Sequence, residues 1–328
     1  MEKELSAAED CFRRTGETAA AMEVLVAGER ARKPSQVVLR AVLTLARWTA
    51  LPREAKESAA RNVEILIGRP LRFSGLQTHA LGDHSNTTAH FDWRGRELAL
   101  IPAGREQVGF DVESFRPSDD LLQRISPRPT RAQAPVDTHQ ALALFHDVAR
   151  DIHPVREVSL SPYLIEVVST GWPGWGFFGA PVDVHGFPDA EESEIRSALR
   201  SFRRDGFRAP TTDEWEFACA GGSRDLFRWG AEHPVSQSPW QEQPWDLHRS
   251  RNAFGLVLPH DTYDVELCLP WNLRGGDGGF QAHGGGDLLG WLTLASAYDA
   301  TRVTREVAGL SIDEGNPSVR LVRPLFSM

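Results

Sequence analysis

The chain of 328 residues has little cysteine, little lysine and no long apolar run. Its three cysteines, Cys11, Cys219 and Cys268, are too few and too scattered for a disulfide framework, which points to a reducing compartment. Lys3, Lys33 and Lys56 are the only lysines, so arginine carries almost all the positive charge. The net charge of -9 lacks the basic face of a nucleic-acid binder, so nucleic acid is set aside as a partner. No apolar stretch reaches the roughly 20 residues that span a bilayer, which sets aside a membrane segment. The first ten residues are charged and lack the apolar centre of a signal peptide, so the expected location is cytoplasmic.

What is present suits a globular protein. Hydrophobic residues make up 41% and charged residues 25%, enough apolar material for a sizeable core. Residues 1–67 are dominated by Ala, Glu, Arg and Leu, which favour helix. Pro34 and Pro52 divide them into about three helices, since proline suits a first turn. Val37, Val38, Ala41, Leu45 and Trp48 fall on one face of the second helix, and Ala59, Val63, Leu66 and Ile67 on one face of the third. The helices stop near Gly68-Arg69-Pro70. A looser segment follows, holding His79, Asp83, His84 and His90. His79 and His84 are five apart with Gly82 between them. That spacing suits neither a helix face nor a strand face, so it argues against a metal site within one element.

Thr87–Asp92 and Glu97–Pro102 then read as strands joined at Trp93-Arg94-Gly95-Arg96. Phe115–Pro135 reads as a surface excursion, and Asp137–Asp151 as a helix with His146 on its apolar face. Pro154–Val168 alternates as strand. Gly171–Gly179 is a glycine- and aromatic-rich loop. Its Trp172, Trp175, Phe177 and Phe178 form either a ligand-binding rim or a lid over the core.

The densest local signal is Gly206–Gly222. Phe207-Arg208-Ala209-Pro210 reads as a short strand. Thr211 and Glu214 have capping-box spacing, Asp213 and Glu214 suit the positive end of a helix dipole, and Gly221-Gly222 is a stop. Trp215, Ala218 and Cys219 form the inward face, with Cys219 as a core residue. Downstream, Asp277 follows Arg274-Gly-Gly, and His283 and Asp287 are four apart beside a glycine run. With His260 in a neighbouring loop they are the candidate metal ligands. His248 and Asp277 join Trp172, Trp175 and Phe177 as candidate ligand-binding residues. The glycine spacing fits neither nucleotide-binding motif.

The stretch Arg208–Gly222 resembles the R-L-P-T-E-x-E-W-E-x-A-A-R-G-G signature of the formylglycine-generating-enzyme (sulfatase-modifying factor) family. Weaker islands support it: Leu98–Gly104, Ser159–Glu166, Pro181–His185, Ala190–Arg204, Leu226–Gly230, Asn252–Leu256, Leu273–Gly276 and Ser318–Arg323. Together they span about residues 95–326. The resemblance implies an α+β, C-type-lectin-like domain over 88–328, with residues 1–87 as an N-terminal helical region and linker. It makes Arg208, Thr211, Glu214, Trp215, Arg274 and Arg320 structural signature positions.

The departures bear on activity. Formylglycine-generating enzymes hold copper(I) between a closely spaced cysteine pair shortly before a closing G-F-R. The matching stretch, about Ala300–Pro317, has no cysteine, although Arg302 and Arg305 keep its arginine-rich character. The family's G-N-V-W-E-W element, which helps build calcium sites, is also missing. Asp261, Asp264 and Glu266 are the oxygen donors left for calcium. The H-x-x-x-H-x-E iron motif of related sulfoxide synthases does not occur. The expectation is a divergent sulfatase-modifying-factor-like protein, a pseudoenzyme that binds a protein, peptide or small molecule. The alternative is a metal-dependent oxidoreductase, with non-haem iron or copper at an unrecognised site. A third reading is a scaffold in a larger bacterial assembly.

Overall fold

A computed structural model describes residues 18–115, 143, 146, 149–171, 202–232, 238–241, 245–270, 272–279, 287–301 and 316–326. The described chain is mixed α+β, with a helical N-terminal region and antiparallel sheets. Among the described residues four helices come first: α1 (Thr18–Ala31), α2 (Gln36–Val42), α3 (Leu45–Ala50) and α4 (Arg53–Ile67). The expected second helix is therefore two. It breaks at Leu43-Thr44, where Leu43 caps α2 and Thr44 turns extended to start α3. Ser35 Oγ accepts from Val38 N at 3.4 Å and starts α2. Pro52 sits at the N-cap of α4, and Gly68 closes that helix as expected.

The face expected on the third helix, now α4, is the buried one, but the face expected on the second is shifted: Val37, Val38, Ala41 and Leu45 are only partly buried, and Leu39, Val42 and Leu43 join Trp48 in the core instead. Leu39, Val42, Leu43, Trp48, Ala59 and Val63 are in the core, and Val38, Ala41, Leu66 and Ile67 pack against it. That core also contains Leu98, Trp291 and Tyr298, so the helices share it with the rest of the chain. Two bonds pin them further: Trp48 Nε1 donates to Thr87 O at 2.7 Å, and Ala103 N to Leu43 O at 3.0 Å.

The segment after Pro70 corrects the expectation of loose chain. It is a long hairpin of β1 (Leu71–Leu81) and β2 (His84–Trp93), turning at Gly82. Its alternation is weak because much of β1 faces solvent, which hides the period of two. The register slips between Phe73 and Gly75, a bulge that bends the strand. The 87/88 division falls inside β2. The remaining strands among the described residues are β3 (Arg96–Ile101), β4 (Arg105–Val108), β5 (Arg156–Ser159), β6 (Tyr163–Glu166), β7 (Thr170–Gly171), β8 (Asp264–Cys268), β9 (Asn272–Arg274), β10 (Asn316–Val319) and β11 (Val322–Pro324).

The largest sheet runs β1-β2-β3-β6-β11, antiparallel throughout. A second runs β7-β10-β8-β9, in which β10 and β8 are parallel. β4 and β5 form a separate ribbon. The chain leaves the second sheet at Val319 and enters the first at Val322, so Arg320 stands at the seam.

Helix α5 (Thr212–Ala220) is the signature element. Thr211 Oγ1 accepts from Glu214 N at 3.2 Å, and Thr211 N donates to Glu214 Oε2 at 2.8 Å, completing the capping box. Gly221 closes the helix in the left-handed conformation, where a side chain would be strained. The residues before the helix form no strand; Arg208 makes only an isolated bridge to Val322. Trp215, Phe217, Ala218 and Cys219 are buried in a second apolar cluster with Tyr163, Phe254 and Val322. Burying a side chain such as Phe217 contributes about 1.5–3 kcal/mol relative to exposure. A short helix, α6 (Asp287–Leu292), carries buried Trp291.

The readings of Phe115–Pro135 (beyond Phe115), Pro181–His185 and nearly all of Ala190–Arg204 lie outside the described residues. So does most of Asp137–Asp151. There positions 143, 146 and 149 are helical, and His146 is exposed. Among the described residues no helix is long and apolar enough to cross a membrane.

Candidate functional site

The signature residues are joined by a buried polar frame. Arg208 grips Glu214 with both nitrogens, Nη1 to Oε2 at 2.6 Å and Nη2 to Oε1 at 2.7 Å. Tyr163 Oη donates to Glu214 O at 2.7 Å. At the sheet seam Arg320 donates Nη2 to Glu266 Oε1 at 2.6 Å and Nε to Oε2 at 3.0 Å. Its other bonds reach the carbonyls of Glu166, Val167 and Val257. Trp215 Nε1 donates to the same Glu266 Oε2 at 2.7 Å. Both oxygens of Glu266 are therefore engaged, which removes it as a calcium donor unless Arg320 lets go. Asp261 Oδ1 accepts from Tyr263 N at 3.1 Å, fixing a turn.

A second charged cluster sits beside it. His153 Nδ1 lies 3.1 Å from Glu216 Oε2, and Nε2 lies 3.2 Å from Asp299 Oδ2. Arg156 joins Glu216 to Asp213, and fully buried Arg274 reaches Glu216 and Tyr298 O. Hydrogen bonds that His153 donates to Asp299 and Glu216 raise its pKa against its burial. Burial alone would raise the Glu216 and Asp299 carboxyls. The His153 hydrogen bond and the charge of Arg274 override it and hold both below the usual range. Arg156 and Arg274 face the carboxylates of Asp213, Glu216 and Asp299 here, with the His153 ring between Glu216 and Asp299.

His248 and His260 come together, with ring centroids 6.2 Å apart. His248 is fully buried in a nest of Trp229, Trp245 and Trp291 and stacks on Trp245 at 5.4 Å. Burial lowers its pKa to about 4, and Nε2 meets Pro239 O at 3.1 Å. It packs as a neutral core residue. Asp277 is buried and accepts from Gly279 N at 2.9 Å, shaping the glycine turn. Of the other metal candidates, Asp287 opens α6 and His283 lies outside the described residues, as do Trp172, Trp175, Phe177, Phe178, Arg302 and Arg305. No group of three or more His, Cys, Asp or Glu suited to a metal occurs among the described residues.

Cys219 and Cys268 are buried and unpaired by disulfide, and burial raises both thiols above the ordinary value. Neither has the electropositive, partly exposed setting of a reactive cysteine.

Two features escape sequence reasoning. The first is a cleft of ≈ 440 Å³ among the described residues, lined by Gln107, Phe110, Asp111, Ser114, Phe115 and Arg224. Its size falls within the range of small-ligand pockets, about 300–1,000 Å³. The second is a histidine pair. His79 Nε2 lies 3.0 Å from His90 Nε2, across the hairpin. His90 is fully buried, and its Nδ1 lies 2.9 Å from Glu97 Oε1. That contact lies off the ring's N–H axis, and Nδ1 has no other partner. Arg251 holds Glu97 through Nη1 to Oε1 and Nη2 to Oε2, both at 3.3 Å. Gly255 presses on His79, and a Cβ there would stand 2.5 Å from Nε2. Burial lowers both imidazoles, His90 to about 4, against the opposing pull of Glu97. The signal for the pair was three histidines and an aspartate close together in sequence, but the pairing needs the hairpin.

No protein-family model matches the chain, and no curated protein matches it.

Proposed function

We propose that this chain is a divergent sulfatase-modifying-factor-like protein with a C-type-lectin-like domain, acting as a non-catalytic module that binds a protein, peptide or small ligand. One observation carries the reading: the signature residues are spent on scaffold. Arg208, Thr211, Glu214, Trp215, Arg274 and Arg320 all end on buried partners or on helix caps. The described cysteines are buried thiols, and the stretch 300–317 contains none. The cleft lined by Asp111, Ser114 and Arg224 offers a small ligand both charge signs and the aromatic walls of Phe110 and Phe115.

The test is a peptide carrying a sulfatase-type cysteine, incubated with the protein, Cu(I) and oxygen, and weighed by mass spectrometry. An unchanged mass is expected; conversion of cysteine to formylglycine would overturn the reading. The alternative, a metal-dependent oxidoreductase using non-haem iron or copper, draws support from the 3.0 Å approach of His79 and His90. Oxygen uptake by protein loaded with iron or copper separates the two.

A further inference from the structure

We infer that His79 and His90 form a two-imidazole binding site for a divalent transition-metal ion of tetragonal preference, Cu(II) or Ni(II), with Glu97 and Arg251 as its orienting shell. The inference goes beyond the binding-module reading: an ion held here without turnover leaves that reading intact.

The geometry makes the argument. Two Nε2 atoms from different strands converge to 3.0 Å. Two neutral imidazoles at that distance share one N–H, and the other nitrogen presents its lone pair. His90 has its tautomer set by its surroundings. Its buried Nδ1 faces only the Glu97 carboxylate, so the proton belongs on Nδ1 and the lone pair on Nε2. A small ring rotation brings Nδ1–H onto Oε1. This is the carboxylate–histidine arrangement that raises ligand basicity and fixes ring orientation in metal sites. Arg251 fastens the carboxylate, and donates also to Gly255 O at 3.1 Å, beside His79. For both lone pairs to meet at one ion, His79 moves its proton from Nε2 to Nδ1 and the two rings turn out of their present head-on hydrogen bond.

The ion class follows from the donors: two imidazole nitrogens with no thiolate suit Cu(II) and Ni(II), which stand high in the affinity order for nitrogen sites. No third His, Cys, Asp or Glu joins the pair among the described residues, so water or an exogenous ligand completes the coordination. His79 is half-exposed, which gives the ion a way in.

The test is titration of the full chain with Ni(II) and Cu(II) alone, followed by calorimetry and, for Cu(II), electron paramagnetic resonance. One equivalent is expected, with superhyperfine splitting from two imidazole nitrogens. His79→Ala is expected to abolish this signal while the melting temperature confirms a folded chain. Glu97→Gln keeps both rings and is expected to weaken binding about 10–100-fold. His84→Gln, in the same hairpin but outside the pair, is expected to leave binding unchanged. Absence of binding by the parent chain overturns the inference. So does a two-nitrogen signal that survives unweakened in folded His79→Ala or in Glu97→Gln.

Discussion

Arg320 and Glu266 meet inside the protein with no exposure on either side chain, Nη2 to Oε1 at 2.6 Å and Nε to Oε2 at 3.0 Å. The pair clamps β8 to the point where the chain passes from β10 to β11, and so joins the two larger sheets. Arg320 also satisfies three carbonyls, which compensates its own desolvation. Removing one partner strands the other charge in the core, at a cost of about 3–5 kcal/mol. Arg320→Met and Glu266→Gln are each expected to lower the urea midpoint accordingly. The double variant Arg320→Met/Glu266→Leu is expected to recover part of the loss, because no lone charge remains. Additive losses in that cycle would show that the pairing is not what stabilises the seam.

His153 sets a pH window. Its folded pKa is raised, so its contribution to stability is full below its unfolded value near 6.5 and fades as pH rises through the higher folded value. Glu216 and Asp299 are lowered, so their contribution is full above the ordinary carboxylate range and fades as pH falls through their folded values. The groups facing His153 are Glu216, Asp299 and Arg274, with Arg156 behind Glu216. Stability is therefore expected to be highest between about pH 5 and 6.5 for this cluster. His153→Gln is expected to flatten the decline above pH 6.5. Chemical denaturation at stepped pH reads this, and an unchanged alkaline limb would refute the assignment.

The α5 cap can be tested by side-chain chemistry alone. Thr211→Ala removes the hydroxyl acceptor for Glu214 N and is expected to cost about 1 kcal/mol, within about 0.5–2. Thr211→Ser keeps the oxygen and is expected to stay close to the parent. Glu214→Ala is expected to cost more, because it breaks the reciprocal cap and strips Arg208 of both its carboxylate contacts. Equal losses for the serine and alanine variants would point to packing of the threonine methyl instead.

The contrast between α5 and the histidine pair shows what the sequence discloses. The cap, the buried face and the glycine stop of α5 are local: residues three or four apart decide them, and each residue type has one plain use there. The N-terminal helices are legible for the same reason. The split of α2 from α3 is not, because apolar spacing runs on through Leu43-Thr44. His79 and His90 escape because the partners lie on two strands, and the turn at Gly82 reverses the chain between them. Spacing within one element excludes such a pair on grounds that do not apply across a hairpin. The half-exposed β1 hides that hairpin by blurring its alternation. The nest around His248 draws Trp229, Trp245 and Trp291 from three separate segments, which no local pattern joins. His248 is a candidate ligand residue by type, and a core residue once its neighbours are known.

The cysteines supply a test of the non-catalytic reading that does not depend on substrate. Cys219, on the buried face of α5, packs in the second apolar cluster with Sγ 3.8 Å from Ser296 Oγ, and Cys268 closes β8 with no exposure. Desolvation disfavours both thiolates, and the thiolate is the form that attacks electrophiles or binds Cu(I). Under native conditions at pH 8, iodoacetamide is therefore expected to leave Cys219 and Cys268 unmodified over hours. In denaturant both should label within minutes. Peptide mapping assigns each site, so reaction at Cys11 does not confuse the result. Fast native labelling of Cys219 or Cys268 would mean that a thiol reaches solvent, and would return cysteine chemistry to the list of this protein's activities.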